Sequence, residues 1–141
     1  LLPENVLRRV TIIPSSKGAA GYSLSVQKEK RLLTGRDMLL HMTVALAGRA
    51  AEATVFGREN VTNGAENDLE KAEQMAKQMY GWRMTQADNE KDGVRQAMEK
   101  AEEKALLLLD QKRETLDRLT EALMEKETLL EEDLMQILAE T

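Results

Sequence analysis

Thr34-Gly35-Arg36-Asp37-Met38-Leu39-Leu40-His41-Met42 is where the apolar period of the chain changes from that of a strand to that of a helix. Thr34 has an N-cap side chain, and Asp37 stands three residues on, where a carboxylate supports the first turn. The apolar positions continue through Val44, Leu46, Val55 and Phe56, and Gly57 supplies the stop. They run almost all the way round the helix predicted over 34–56. That helix is therefore expected to be largely buried, with a narrow polar stripe of Asp37, His41, Gly48 and Glu52.

Before Thr34 the pattern is that of short strands. Val10-Thr11-Ile12-Ile13 is β-branched throughout and ends at Pro14, which has no N–H to give a ladder. Small residues at 15–20 make a turn, and Gly21-Tyr22-Ser23-Leu24-Ser25-Val26 alternates polar with apolar, which together predicts a hairpin. After Gly57, helical spacing returns over 64–80 and 92–110, the latter with Val94, Ala97, Met98, Ala101, Ala105, Leu108 and Leu109 on one face. It appears again over 112–126, with Leu116, Leu119 and Leu123. A last short helix, with Thr128 as its cap residue, uses Leu130, Leu134, Ile137 and Leu138. The expected fold is mainly α (α+β): a bundle of about five helices with a small N-terminal β-hairpin. It is expected to form a single domain over 1–141, with short strands in 1–33 and helices in 34–141.

Composition narrows the function. Of 141 residues, 42% are hydrophobic but only 3% aromatic, so Leu, Ala and Met must fill the core, which favours helices. The net charge is −5, and the only basic cluster, Lys28, Lys30 and Arg31, is too short to neutralise a phosphate backbone; a nucleic-acid role is excluded. With no cysteine there is no disulfide framework, no thiolate nucleophile and no Cys-type zinc site. No apolar run approaches the ~18 residues of a membrane span, and no signal peptide is visible. The first residue is Leu, so the chain is expected to be cut from something longer, with any membrane anchor upstream.

Asp68 is the most informative single residue. On a helical wheel at ~100° per residue, Leu69, Ala72, Met75, Ala76 and Met79 fall around it, while Glu66, Glu70, Lys71, Glu73 and Lys77 fall opposite. A carboxylate inside an apolar stripe needs a partner: free amides of the first helical turn, a metal, or a cation. The wheel leaves all three open and places Asp68 toward the core or a cleft. On the preceding helix, Glu52 and His41 share a line with Ala45 and Gly48, which by itself reads as a solvated or interface stripe. His41 is the sole histidine, so no pair of histidines at helical spacing exists to hold zinc.

Several segments, in order, resemble the FtsH family of ATP-dependent zinc metalloproteases. They are Leu2-Pro3, Val10-Thr11-Ile12-Ile13-Pro14, Gly21-Tyr22, Thr34-x-Arg36, Gly48-Arg49-Ala50-Ala51-Glu52 with Phe56-Gly57, Gly64-Ala65-Glu66-Asn67-Asp68-Leu69, and Leu119 to Leu129. The resemblance implies the part of a peptidase domain downstream of H-E-x-x-H. It implies a parent with an AAA+ module using ATP and Mg, a hexameric ring, and a membrane anchor with the domain on the cytoplasmic side. It also implies a zinc site acting on unfolded or membrane polypeptides. Asp68 would be a zinc ligand, with Glu52 and Asn67 in supporting roles, and Gly21, Tyr22, Ser23 and Leu24 would be a strand that pairs with extended substrate. H-E-x-x-H itself is absent and His41 corresponds to no ligand, so the chain alone is expected to be inactive. The connection at 81–93 is shorter than the family's. The competing reading is a non-catalytic helical binding or assembly module of the same descent.

Overall fold

In a computed structural model of the chain, residues 5–11, 13, 22–27, 32–63 and 66–140 are described, with the backbone alone for 5–8 and 22–27. Among them lie five α-helices and a three-stranded sheet, in the order β1 (Asn5–Thr11), β2 (Tyr22–Gln27), α1 (Gly35–Phe56), α2 (Glu66–Gly81), α3 (Glu90–Gln111), α4 (Arg113–Lys126), β3 (Thr128–Leu130) and α5 (Glu131–Ala139). The mainly helical class is as expected. The chain divides into two compact units, one comprising residues 30–111 and the other residues 3–29 with 112–141. None of the described helices is long and apolar enough to cross a membrane.

The first unit is the three-helix body of α1, α2 and α3. α1 begins where the sequence says: the Thr34 hydroxyl accepts from the Asp37 N–H at 3.1 Å, and the Asp37 carboxylate accepts from the Thr34 N–H at 2.9 Å. It ends at Gly57, whose φ of 89° suits glycine. Met38, Met42, Leu46 and Ala50 form a buried row at four-residue steps along α1. The first three meet Ala72, Ala76 and Met79 of α2 and Ala97 and Ala101 of α3. The alanines keep the three backbones close, and the methionines fill the irregular space between them. α1 is not buried all round as predicted: Val44, Val55 and Phe56 are exposed, because within this unit only α2 and α3 cover it.

The link from α2 to α3 is short and fully specified. The Met84 N–H donates to the Met79 carbonyl at 2.9 Å and the Arg83 N–H to the Tyr80 carbonyl at 3.0 Å, a Schellman closure with Arg83 left-handed at φ 57°. Asn89 then caps α3 by accepting from the Asp92 N–H at 2.9 Å. Gly93 lets the start of α3 lie against the end of α2: a Cβ there would stand 2.9 Å from the Tyr80 ring.

The second unit joins the two ends of the sequence. β1 pairs antiparallel with β2 (Asn5 opposite Gln27, Thr11 opposite Tyr22), with a register shift between Leu7 and Arg9. Its other edge pairs antiparallel with β3 (Arg9 opposite Leu130, Thr11 opposite Thr128), so the sheet order is β2-β1-β3. The predicted hairpin is present, with its first strand nearer the N-terminus than 10–13, and a third strand extends it. Thr11, buried, donates to the Glu127 carbonyl at 3.1 Å and lies 2.7 Å from the Thr128 hydroxyl. Thr128 is therefore a strand residue and not the cap of the last helix. Leu130 takes the cap position, and its N–H is taken up by the Asp133 carboxylate at 3.2 Å. Leu129 and Leu134 are fully buried, each stabilising this unit by ~2 kcal/mol.

Asp133 also receives the Lys126 ammonium at 2.9 Å. That hydrogen bond, with the Leu130 N–H behind it, holds the Asp133 carboxyl below its ordinary value, and Asp133 in turn raises Lys126. The lowered carboxyl stabilises the fold above the ordinary aspartate value of 3.8, and that contribution is lost as pH falls through the lower folded value. The raised lysine stabilises the fold fully below 10.5, and its contribution is lost as pH rises through the higher folded value. Asp133→Asn should therefore leave the protein less stable than the parent at neutral pH, with the two converging on acidification. Melting temperatures of both proteins across the acid range check this, and a constant gap down to the lowest pH would disprove it.

Candidate functional site

The candidate site lies on the hairpin of α1 and α2, in the first unit. α1 carries Glu52 one turn before its end, half-buried. After the Gly57 turn, Asn60 closes the helix by donating from Nδ2 to the Phe56 carbonyl at 2.7 Å. The chain then comes back past Glu52, whose carboxylate accepts from the Thr62 N–H at 2.8 Å and from the Thr62 hydroxyl at 2.9 Å. A carboxylate that accepts both an amide and a hydroxyl from one residue fixes that residue's position as well as its distance. Glu52 thus pins the stretch of loop that leads into α2, a contact that the helical line alone did not reveal. His41, eleven positions earlier, is half-buried and has its own interactions.

Asp68 is the third residue of α2, in its first turn as expected. Its side chain is exposed, however, and not directed into the core. A wheel gives direction around an axis and says nothing of depth along it. The fully buried positions of α2 begin one turn later, at Ala72, and run through Ala76 to Met79, with Leu69 partly buried against the same core. Asp68 stands one turn ahead of the first fully buried residue, on the flank of the stripe it shares with half-buried Met75. Asn67, also exposed, lines a shallow depression on the outer side of α2 with Glu70, Lys71 and Gln74; Asp68 is not among its lining residues.

Among the described residues no three His, Cys, Asp or Glu side chains come together as a metal cluster. A catalytic zinc takes about three protein ligands plus water, and Asp68 supplies one at most. The described residues of this chain do not make a zinc site by themselves. Of the residues expected to meet substrate, Tyr22, Ser23 and Leu24 lie in β2, one of the two edge strands of the sheet among the described residues, while Gly21 lies outside them.

The family model of peptidase family M41 matches residues 3–86, which include β1, β2, α1, the Glu52–Thr62 contact and all of α2. The chain belongs to peptidase family M41. The ATP-dependent zinc metalloprotease FtsH of Lachnoclostridium phytofermentans is 47% identical over 75 residues, 53% of this chain and 13% of that protein. The protein of the same name from Clostridium perfringens is 32% identical over 160 residues, 93% of this chain and 22% of its own length. The ATP-dependent zinc metalloprotease FTSH 8, mitochondrial, of Oryza sativa subsp. japonica is 32% identical over 160 residues, covering 95% of this chain and 19% of the relative. The chain thus spans less than a quarter of the length of these relatives. An alignment of 160 residues is longer than this chain, so the Clostridium protein has residues in the aligned stretch that are lacking here. The family match stops at residue 86, inside the short link from α2 to α3.

Proposed function

We propose that this chain is part of the proteolytic domain of an ATP-dependent zinc metalloendopeptidase that degrades unfolded or membrane polypeptides. Asp68 contributes one carboxylate to the zinc, Glu52 positions the loop that carries it through Thr62, and Asn67 supports it from the same turn. Gly21 and the edge of β2 at Tyr22, Ser23 and Leu24 receive extended substrate by β-addition. The AAA+ module with its ATP and Mg, the ring (a hexamer) and the attachment to the cytoplasmic side of a membrane belong to the rest of the protein. Zinc, when bound, supplies an activated water. The observation that carries the reading is the α1–α2 hairpin, in which a matched carboxylate on one helix fixes the approach to a matched carboxylate on the next.

A second reading, a non-catalytic helical binding module, draws on the exposure of Asp68. The full-length protein decides between them. Casein cleavage that requires ATP and stops on chelation is expected, while this chain alone, loaded with zinc, should cleave nothing. A full-length protein without ATP-dependent, chelator-sensitive cleavage would sink the enzymatic reading, and robust cleavage by the chain alone would sink the assignment of the remaining ligands to another segment.

A further inference from the structure

The loop between the Glu52 contact and α2 contains Asn63, exposed and followed in sequence by Gly64. We propose that Asn63 is a self-modifying position, which deamidates in the folded protein ahead of every other asparagine in the chain. The backbone nitrogen of Gly64 attacks the side-chain carbonyl carbon of Asn63. A C–N bond forms there, the bond to the amide nitrogen breaks, and ammonia leaves with the proton that the backbone nitrogen gave up. Water then opens the five-membered imide at one carbonyl or the other, giving aspartate or its β-linked isomer. The chemistry needs solvent alone. A glycine at the next position helps because no Cβ hinders the approach of the nitrogen.

The other asparagines lack this combination. Asn5, Asn60, Asn67 and Asn89 precede Val6, Val61, Asp68 and Glu90, whose side chains hinder the attack. Asn60 and Asn89 also have their side-chain amides engaged, with the Phe56 carbonyl and with Asp92. Asp92-Gly93 has the right neighbour for the related isomerisation, but Gly93 is buried in α3 and its N–H is held by the Asn89 carbonyl at 3.0 Å. At Asn63 the product adds a negative charge and, in the β-linked form, an extra backbone atom beside the residue that Glu52 grips through two hydrogen bonds. That change falls on the approach to the helix of Asp68.

The test is a time course of the native full-length protein at mildly alkaline pH, followed by trypsin and mass spectrometry. Peptide 59–71 holds Asn60, Asn63 and Asn67, and peptide 84–91 holds Asn89. An acid form should grow in 59–71, fragment ions should place it at Asn63, and part of it should accept methyl groups from an isoaspartyl methyltransferase. Gly64→Ala should slow it several-fold, and Asn63→Gln should abolish it. No acid form, growth at an equal rate at Asn60, Asn67 or Asn89, or an undiminished rate in Gly64→Ala would each overturn the proposal. The parent's time course decides even if a variant fails to fold.

Discussion

Asp68→Asn in the full-length protein is expected to remove bound zinc and peptide turnover together, by more than about 100-fold in turnover, while ATP hydrolysis continues. The asparagine keeps the shape of the side chain and its ability to accept from amides at the start of α2, so it is a mild change for a capping residue. For a metal ligand it is severe, because the charge that binds the metal and sets the acidity of its water is gone. Asp68→Ala should look the same in turnover but should also loosen the first turn of α2. Zinc content and turnover measured on one preparation separate the two roles. Full zinc with normal turnover in Asp68→Asn would remove Asp68 from the zinc site. The exposure of Asp68 adds weight to the experiment: packing demands no carboxylate there, so the first-turn role and the metal role are what it must separate.

The largest effect on stability is expected from Met42→Ala. Met42 is fully buried in the row of α1 that faces α2 and α3, and its neighbours there include small alanines that cannot close over a void. The loss should be about 2–5 kcal/mol, the lost transfer energy together with the cost of the residual cavity. Urea titration should show a lower midpoint with an unchanged slope. Met124 is the control. It is 74% exposed, and Met124→Ala should move stability by no more than about 0.5 kcal/mol. Equal losses at the two positions would contradict the packing of the first unit.

The boundaries of α1 could be read directly because both are local events: a reciprocal pair of hydrogen bonds three residues apart at Thr34, and a glycine with positive φ at its end. The buried alanine row of α3 could be read from period alone. What escaped depends on residues far apart in sequence. Thr128 has the chemistry of a cap, but the free edge of β1 competes for it and wins, and a backbone N–H at Leu130 with an acidic residue three positions on makes the helix start there instead. The Glu52–Thr62 contact spans ten residues across a turn, and no helical periodicity encodes it. Asp68 shows the limit of a wheel: it lies on the flank of the apolar stripe and stays exposed, while Leu69 beside it is partly buried against the core.

The pairing of Thr11 with Thr128 has a consequence for the order in which the protein is made. The unit that contains it is assembled from residues 3–29 and 112–141, with the whole of residues 30–111 between them in sequence. On the ribosome, α1, α2 and α3 meet partners that are close in sequence and can pack as they emerge. β1 precedes these helices in the sequence, and one of its two edges stays unpaired until β3 has been synthesised. The segment that carries α4, β3 and α5 therefore works as a latch on β1. A nascent chain stalled after α3 would carry a formed helical body and an open strand edge, the form most exposed to aggregation and to quality control.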